Sequence, residues 1–214
     1  DKTGTLTRSE MTIERVATAS GIVRVTGVGY APDGQIESNG VPLAAGSLFD
    51  ELRMVLTGGC LAGNASLKKG AGGNWDIQGD PTEAAFLVAE RKLGGTLARE
   101  QRFERMGQIP FTSVRKMMST VEMDHDHGGH PVLITKGAPD VLLERCTRLQ
   151  VGTHVVPLDD AQRARILSEV DALSDAALRT LGVAYRPLLA QEDPQGGEAL
   201  EHDLIFVGTV GMMD

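Results

Sequence analysis

The sequence predicts an α+β fold, a mainly antiparallel β-sheet flanked by helices. Strand-like stretches fall in adjacent runs, most clearly between about 103 and 136, instead of alternating strictly with helices. Between these runs lie capped segments with an apolar face at helical spacing. The 214 residues are 41% hydrophobic and only 4% aromatic, enough for an ample, mostly aliphatic core.

Taken in order, residues 1–9 read as a polar, Thr-rich loop. Glu10–Ala17 and Ile22–Gly27 carry β-branched residues in partial alternation and read as strands. The cluster Gly29–Gly34, containing Pro32, is a turn. Ser47 is placed to cap a helix through about Ala62, with the stripe Leu48, Leu52, Val55, Leu56 and Cys60. Residues 63–79, rich in Gly, Asn and Lys, read as a mobile surface loop. Asp80 caps the next helix, with Pro81 in its first turn and Glu83 at the capping-box position, and Gly94-Gly95 ends it.

Phe103–Ile109, Arg115–Met123 and Pro131–Thr135 read as strands, the last two joined by the polar tip Asp124–His130. Pro139 suits the start of a short helix through Cys146, and a strand pair follows near 148–156. Asp159 caps a helix to about Ala177, with Ile166, Leu167, Val170 and Leu173 on one face. Strands Leu181–Tyr185 and Leu204–Val210 close the chain around the acidic, Gly-rich loop Gln191–Glu198.

Composition excludes some functions. A net charge of −8 argues against nonspecific nucleic-acid binding, which needs clustered cations. The longest apolar run is the six residues Ala84–Ala89, against roughly 20 for a membrane helix, so the chain reads as soluble. Cys60 and Cys146 lie far apart and read as reduced structural thiols of a cytosolic protein. A chain opening on Asp1 without an initiator Met suggests an excised fragment.

Asp1-Lys2-Thr3-Gly4-Thr5 has the parts of a carboxylate nucleophile for phosphorus. Gly4 permits close approach, and the hydroxyls can donate to phosphoryl oxygens. Thr3 stands two residues after the carboxylate, where a hydrolase would gain from a general acid/base. A threonine there cannot titrate near neutral pH, so a phospho-aspartate at Asp1 would be long-lived.

The full heptad Asp1–Thr7, DKTGTLT, resembles the phosphorylation signature of P-type ATPases, the ATP-driven ion pumps. Gly79–Ala84 (GDPTEA), Phe111–Ser119 (FTSVRKMMS), Lys136–Asp140 (KGAPD) and Leu178–Ala184 (LRTLGVA) occur in that family's order. KGAPD places the likeness in the calcium-pump-like branch, in a bacterial version. The resemblance implies an ATP-binding domain that positions ATP for phosphoryl transfer to Asp1. In this picture 1–9 is a phosphorylation-loop remnant and linker, 10–203 is the nucleotide-binding domain, and 204–214 returns toward the phosphorylation domain.

The resemblance also implies residue roles. Phe111 stacks on adenine, Glu83 beside Thr82 contacts its amine, Met118 packs beside the base, and Lys136 and Gly137 line the pocket. Lys116 and Arg179 serve the phosphates, while Asp1 and Thr3 take Mg²⁺ together with carboxylates found further along such pumps. The residues by themselves leave simpler roles open: Phe111 as core, Glu83 as a helix cap, and each cation as a solvated surface charge. Thr112 and Val114 depart from the acidic or polar residues of many relatives, which touches the pocket's rim rather than its floor.

A chain of this kind binds ATP without turning it over. Stacking and a few exposed contacts supply about 4 kcal/mol, a millimolar affinity. Its expected partners are ATP and the phosphorylation, actuator and membrane domains of a pump, with no direct membrane contact of its own. The expected location is the cytoplasmic side of an integral membrane protein. Two rivals stand beside this. One is a soluble haloacid-dehalogenase-like phosphatase with a large cap, which favours an Asp where this chain has Thr3. The other is a metal-binding module built on His125, His127 and His130, although that cluster reads first as a solvated turn. Met117, Met118, Met212 and Met213 read as core filler.

Overall fold

The computed structural model describes residues 10–27 and 29–214. The expectations for Asp1, Thr3 and the rest of DKTGTLT fall outside the described residues.

The chain folds into one large, mostly antiparallel sheet with helices on both faces. Its strands are β1 (Thr12–Thr18), β2 (Gly21–Val25), β3 (Ile36–Ser38), β4 (Val41–Pro42), β7 (Phe103–Thr112), β8 (Met117–Asp124), β9 (His130–Gly137), β10 (Cys146–Val151), β11 (His154–Pro157), β12 (Arg179–Pro187) and β13 (Leu204–Met213). The main path runs β4-β3-β2-β1-β13-β12-β9-β8-β7. β13 is the hub. One edge pairs with β12, while the other pairs with β10, in parallel, through Leu204–Phe206 and then with β1 from Gly208 on. Leu204–Met213 is thus woven into the same sheet as the rest. A separate hairpin joins β5 (Ser66–Lys69) to β6 (Trp75–Gln78).

Helices α1 (Ser47–Leu61) and α2 (Pro81–Leu93) cover one face. The core there unites Leu52, Val55, Leu56 and Phe86 with Ile13, Val16, Val183 and Val210. The two helices approach closely because Gly59 has no side chain: a Cβ there would sit 2.0 Å from the Phe86 ring. On the other face, α4 (Pro139–Glu144) and α5 (Asp160–Asp175) bring Leu142, Leu143 and Ile166 against Val121, Leu133 and Phe206. The short α3 (Thr96–Arg102) leads into β7.

Glu51 ties three elements together. Fully buried on α1, its carboxylate accepts from Thr18 Oγ1 (2.7 Å), Ser20 N (2.8 Å), Ser20 Oγ (2.5 Å) and Gly152 N (2.6 Å). It thereby joins the β1–β2 turn to the β10–β11 turn.

Several local expectations need correction. Ser47 is the first residue of α1, and the cap position is Gly46, with no side-chain bond. Residues 63–79 are not all loop but hold the β5–β6 hairpin, whose half-buried Leu67, Trp75 and Ile77 pack on Tyr30, Ala84 and Val88 of the α2 side. β3, β4 and α3 were too short to announce themselves by periodicity. Leu167 on α5 and Met213 on β13 are exposed rather than core. Asp80 does cap α2, accepting from Thr82 N at 2.7 Å, but Glu83 does not complete a capping box.

Candidate functional site

Met118, Lys136 and Gly137 lie where β8 begins and β9 ends, with Glu83 at the start of α2 beside Lys136. Met118, Lys136 and Val183 lie side by side in register, as do Met117, Gly137 and Gly182. Alternation along β9 turns Lys136 toward α1 and α2, and the packing of Phe206, Leu142 and Pro139 at Gly182 marks the opposite face. Lys136 is only 6% exposed. Its Nζ lies 5.2 Å from the Phe86 ring centre and 4.0 Å from Glu83 Oε1, with no hydrogen-bond partner among the described residues. Burial lowers the Lys136 pKa below its ordinary value, while Glu83, Cys60 and Asp80 pull the other way.

Glu83 does a different job from the expected cap. Its second oxygen accepts from Asn64 N at 2.8 Å, beyond the end of α1, which leaves the first facing Lys136. Thr82 sits half-buried beside it, with its backbone N bonded to Asp80. Met118 is buried.

The β7–β8 turn forms the neighbouring wall. Thr112 pairs with Met117, and the turn between them exposes Phe111 to 61% and Val114 to 92%. Phe111 is therefore not a core residue; its ring is available to a ligand. Lys116 adopts a left-handed backbone, φ 57°, held by Lys116 N donating to Thr112 O at 2.7 Å and Ala138 N donating to Lys116 O at 3.0 Å. The second bond locks the KGAPD segment to the turn. Gly137 permits this contact, since a Cβ there would lie 2.6 Å from Lys116 O. The exposed Lys116 side chain thus stands beside this face, whereas Arg179 lies three residues beyond the Gly182–Gly137 pair, exposed at the start of β12 opposite Met212.

The face is an open surface. Two cavities of about 790 and 370 Å³ lie elsewhere on the α1 side: one is lined by Met54, His127, Val183 and Tyr185, the other by Cys60, Arg99, Arg105 and Glu122. None of the candidate residues lines either. Both cysteines are free and buried; burial raises each thiol pKa, that of Cys146 to about 12.

At the β8–β9 tip, Arg102 grips Asp124 bidentately at 2.8 and 2.9 Å, and His127 Nδ1 lies 2.8 Å from the same carboxylate. Burial opposes ionisation of Asp124, but these partners outweigh it and hold its pKa below the usual value. His125, His127 and His130 are exposed. Among the described residues no group of three or more His, Cys, Asp or Glu is arranged to hold a metal ion.

Sequence reasoning missed Phe86, Asn64 and Arg115. Phe86 was hidden in an apolar helical run, and Asn64 acts through its backbone. Arg115 was read only as the start of a strand, yet its side chain is buried.

Residues 51–214 match the family described as P-type ATPase, cytoplasmic domain N. The chain belongs to this family. It is 35% identical over its whole length to a calcium-transporting ATPase of Bacillus subtilis, covering 24% of that protein. It is 32% identical over its whole length to the cation-transporting ATPase pma1 of Synechocystis, covering 23%. It is 30% identical over its whole length to the bovine calcium-transporting ATPase type 2C member 1, covering 21%. The chain thus spans about a quarter of the length of these relatives or less. The mainly antiparallel α+β architecture is that expected for domain N, and among the described residues no helix is long and apolar enough to cross a membrane.

Proposed function

We propose that this domain N binds ATP on the face formed by Glu83, Phe111, Met118, Lys136 and Gly137, within a longer cation-transporting ATPase. The observation that carries the reading is Lys136: a buried ammonium with no hydrogen-bond partner among the described residues, beside a carboxylate and at the end of a strand kept bare by Gly137. A lone buried cation is costly unless something compensates it, and an anionic, hydrogen-bonding ligand does so.

Adenine stacks on the exposed Phe111 ring, with Met118 below and the Glu83 oxygen that faces Lys136, flanked by Thr82, accepting from the exocyclic amine. Lys136 donates into the pocket from its buried position. Lys116 and Arg179 are exposed cations for the phosphates, a local positive island on an acidic chain.

In the longer protein the bound ATP is aimed at Asp1, whose carboxylate attacks the terminal phosphorus as the bond to the β–γ bridging oxygen breaks and ADP leaves. Asp1 and Thr3, with further carboxylates from outside this chain, would hold Mg²⁺, which would supply neutralisation of the phosphoryl charge. Thr3 offers no general base to hydrolyse the aspartyl phosphate, so the intermediate lasts long enough to drive transport. The phosphorylation, actuator and membrane domains supply the rest of the cycle, and the 214-residue chain alone binds ATP without turnover.

Phe111→Ala tests the pocket. Losing about 1–3 kcal/mol of stacking should weaken ATP binding roughly 5- to 150-fold from a millimolar baseline, followed by amide shifts in an ATP titration. Equal affinity in wild type and variant would refute the assignment.

A further inference from the structure

We infer that Glu201, acting through Arg115, is a positioning residue for the turn that carries Phe111 and Lys116, and that the acidic loop 188–203 braces this turn. The inference rests on the nucleotide face proposed above and adds what holds it in place.

Phe111 has most of its ring in solvent, so side-chain packing does little to fix it. Its orientation must come from the backbone on either side. Arg115 holds both legs of that backbone. Its Nη1 donates to Pro110 O at 3.1 Å and Thr112 Oγ1 at 3.2 Å, while Nη2 donates to Met117 O at 3.0 Å. A single planar guanidinium thus spans the residues before Phe111 and after Lys116.

Glu201 holds the guanidinium in turn. Arg115 Nε donates to Glu201 Oε1 at 2.8 Å and Nη2 to Oε2 at 3.4 Å. Oε2 also accepts from Ser119 Oγ at 2.5 Å, and Ser119 bonds Thr135 Oγ1 at 2.7 Å. The network therefore crosses from the turn through β8 to β9, the strand bearing Lys136. Glu201 is fully buried, and its own carbonyl accepts from Arg145 Nη1 at 3.0 Å.

The loop leading to Glu201 is itself clamped. Arg186 pairs with Glu192 through both terminal nitrogens and donates to Leu200 O at 2.8 Å. Gln195 Nε2 donates to Met106 O of β7 at 2.9 Å, and Glu198 lies 3.5 Å from Arg115. The stretch that reads from sequence as an acidic, Gly-rich loop lies against the hairpin of the proposed nucleotide face. Buried ion pairs are weak contributors to stability, because apolar residues of similar volume often serve as well. A pair that fixes the fork of an arginine across a turn contributes geometry that apolar residues cannot.

The test uses the 214-residue chain with Arg115→Met/Glu201→Met, Arg115→Lys and Phe111→Ala. The double variant removes both charges together, so its melting temperature should stay within a few degrees of wild type. Its affinity for ATP should fall about tenfold, and its affinity for adenosine by the same factor, because the base platform is what moves. Amides 111–116 should exchange faster. Arg115→Lys keeps the charge but not the fork, and should show the same pattern at about threefold. It also decides the matter if the double variant fails to fold. A folded variant with native adenosine affinity and native exchange in the turn would overturn the inference, as would a loss confined to ATP and absent for adenosine. If Phe111→Ala leaves affinity unchanged, the nucleotide face itself is wrong. The exchange rates of the turn then judge the brace alone, and unchanged protection overturns it.

Discussion

Replacing Lys136 by methionine should stabilise the domain and weaken ATP binding at the same time. The ammonium is buried, hydrogen-bonded to nothing among the described residues, and attracted to Glu83 only across 4.0 Å. Methionine fills a similar volume, removes the desolvated charge and favours the Phe86 ring. An unsatisfied buried group costs roughly 1–3 kcal/mol, so the variant should melt several degrees higher. A charged hydrogen bond to ligand is worth roughly 1.5–3 kcal/mol, so ATP affinity should drop by at least tenfold.

The pH dependence has a defined sign. The folded pKa of Lys136 lies below its ordinary value of 10.5, so the unfolded chain holds this proton more tightly than the folded one. Below the folded pKa the destabilisation is fully present. As pH rises through the folded pKa toward 10.5, folding sheds the penalty, and wild type should gain on the methionine variant. Thermal unfolding across alkaline pH reads this directly. A variant less stable than wild type at neutral pH, or one with native ATP affinity, would contradict the role given to Lys136.

Glu51→Ala should produce a large loss of stability. It strips the acceptor from the Thr18 and Ser20 hydroxyls and from the amides of Ser20 and Gly152, the last a buried bond. The donors left unpaired cost roughly 1–3 kcal/mol each where they stay dry, so the total loss should be roughly 3–5 kcal/mol. At about 2–4 °C per kcal/mol for a chain this size, the melting temperature should fall by roughly 6–20 °C. Urea unfolding gives the same quantity, and a loss under about 1 kcal/mol would show that water replaces the carboxylate. The face proposed for ATP lies elsewhere, so the affinity of the folded fraction should stay native.

The fold was legible wherever one local rule acted alone. The stripe of α1, the Asp80 cap with Pro81, and the adjacent strands of 103–136 all reported their structure through spacing or capping chemistry. Residues 66–78 were not legible, because Gly, Asn and Lys signal a loop and only contact with Tyr30 and Val88 makes a hairpin of them. Glu51 and Glu201 were equally silent: nothing in a sequence says that a glutamate's partners lie 101 or 86 residues away.

The proposed nucleotide face was visible in outline through its motifs. Its working parts emerged only in three dimensions. Glu83 sits where capping-box spacing puts it, but tertiary contacts with Asn64 and Lys136 claim its carboxylate. Lys136 reads as a strand-end cation, and only the packing of Phe86 reveals that it is buried.

The most direct measurement is an amide-shift map of the ¹⁵N-labelled chain titrated with ATP to millimolar concentration. Shifts should concentrate at Glu83, Phe111, Lys116, Met118, Lys136 and Gly137, and fade toward the cavity lined by His127 and Tyr185. Shifts centred on that cavity, or none at millimolar ATP, would contradict the assignment of this face as the ATP site.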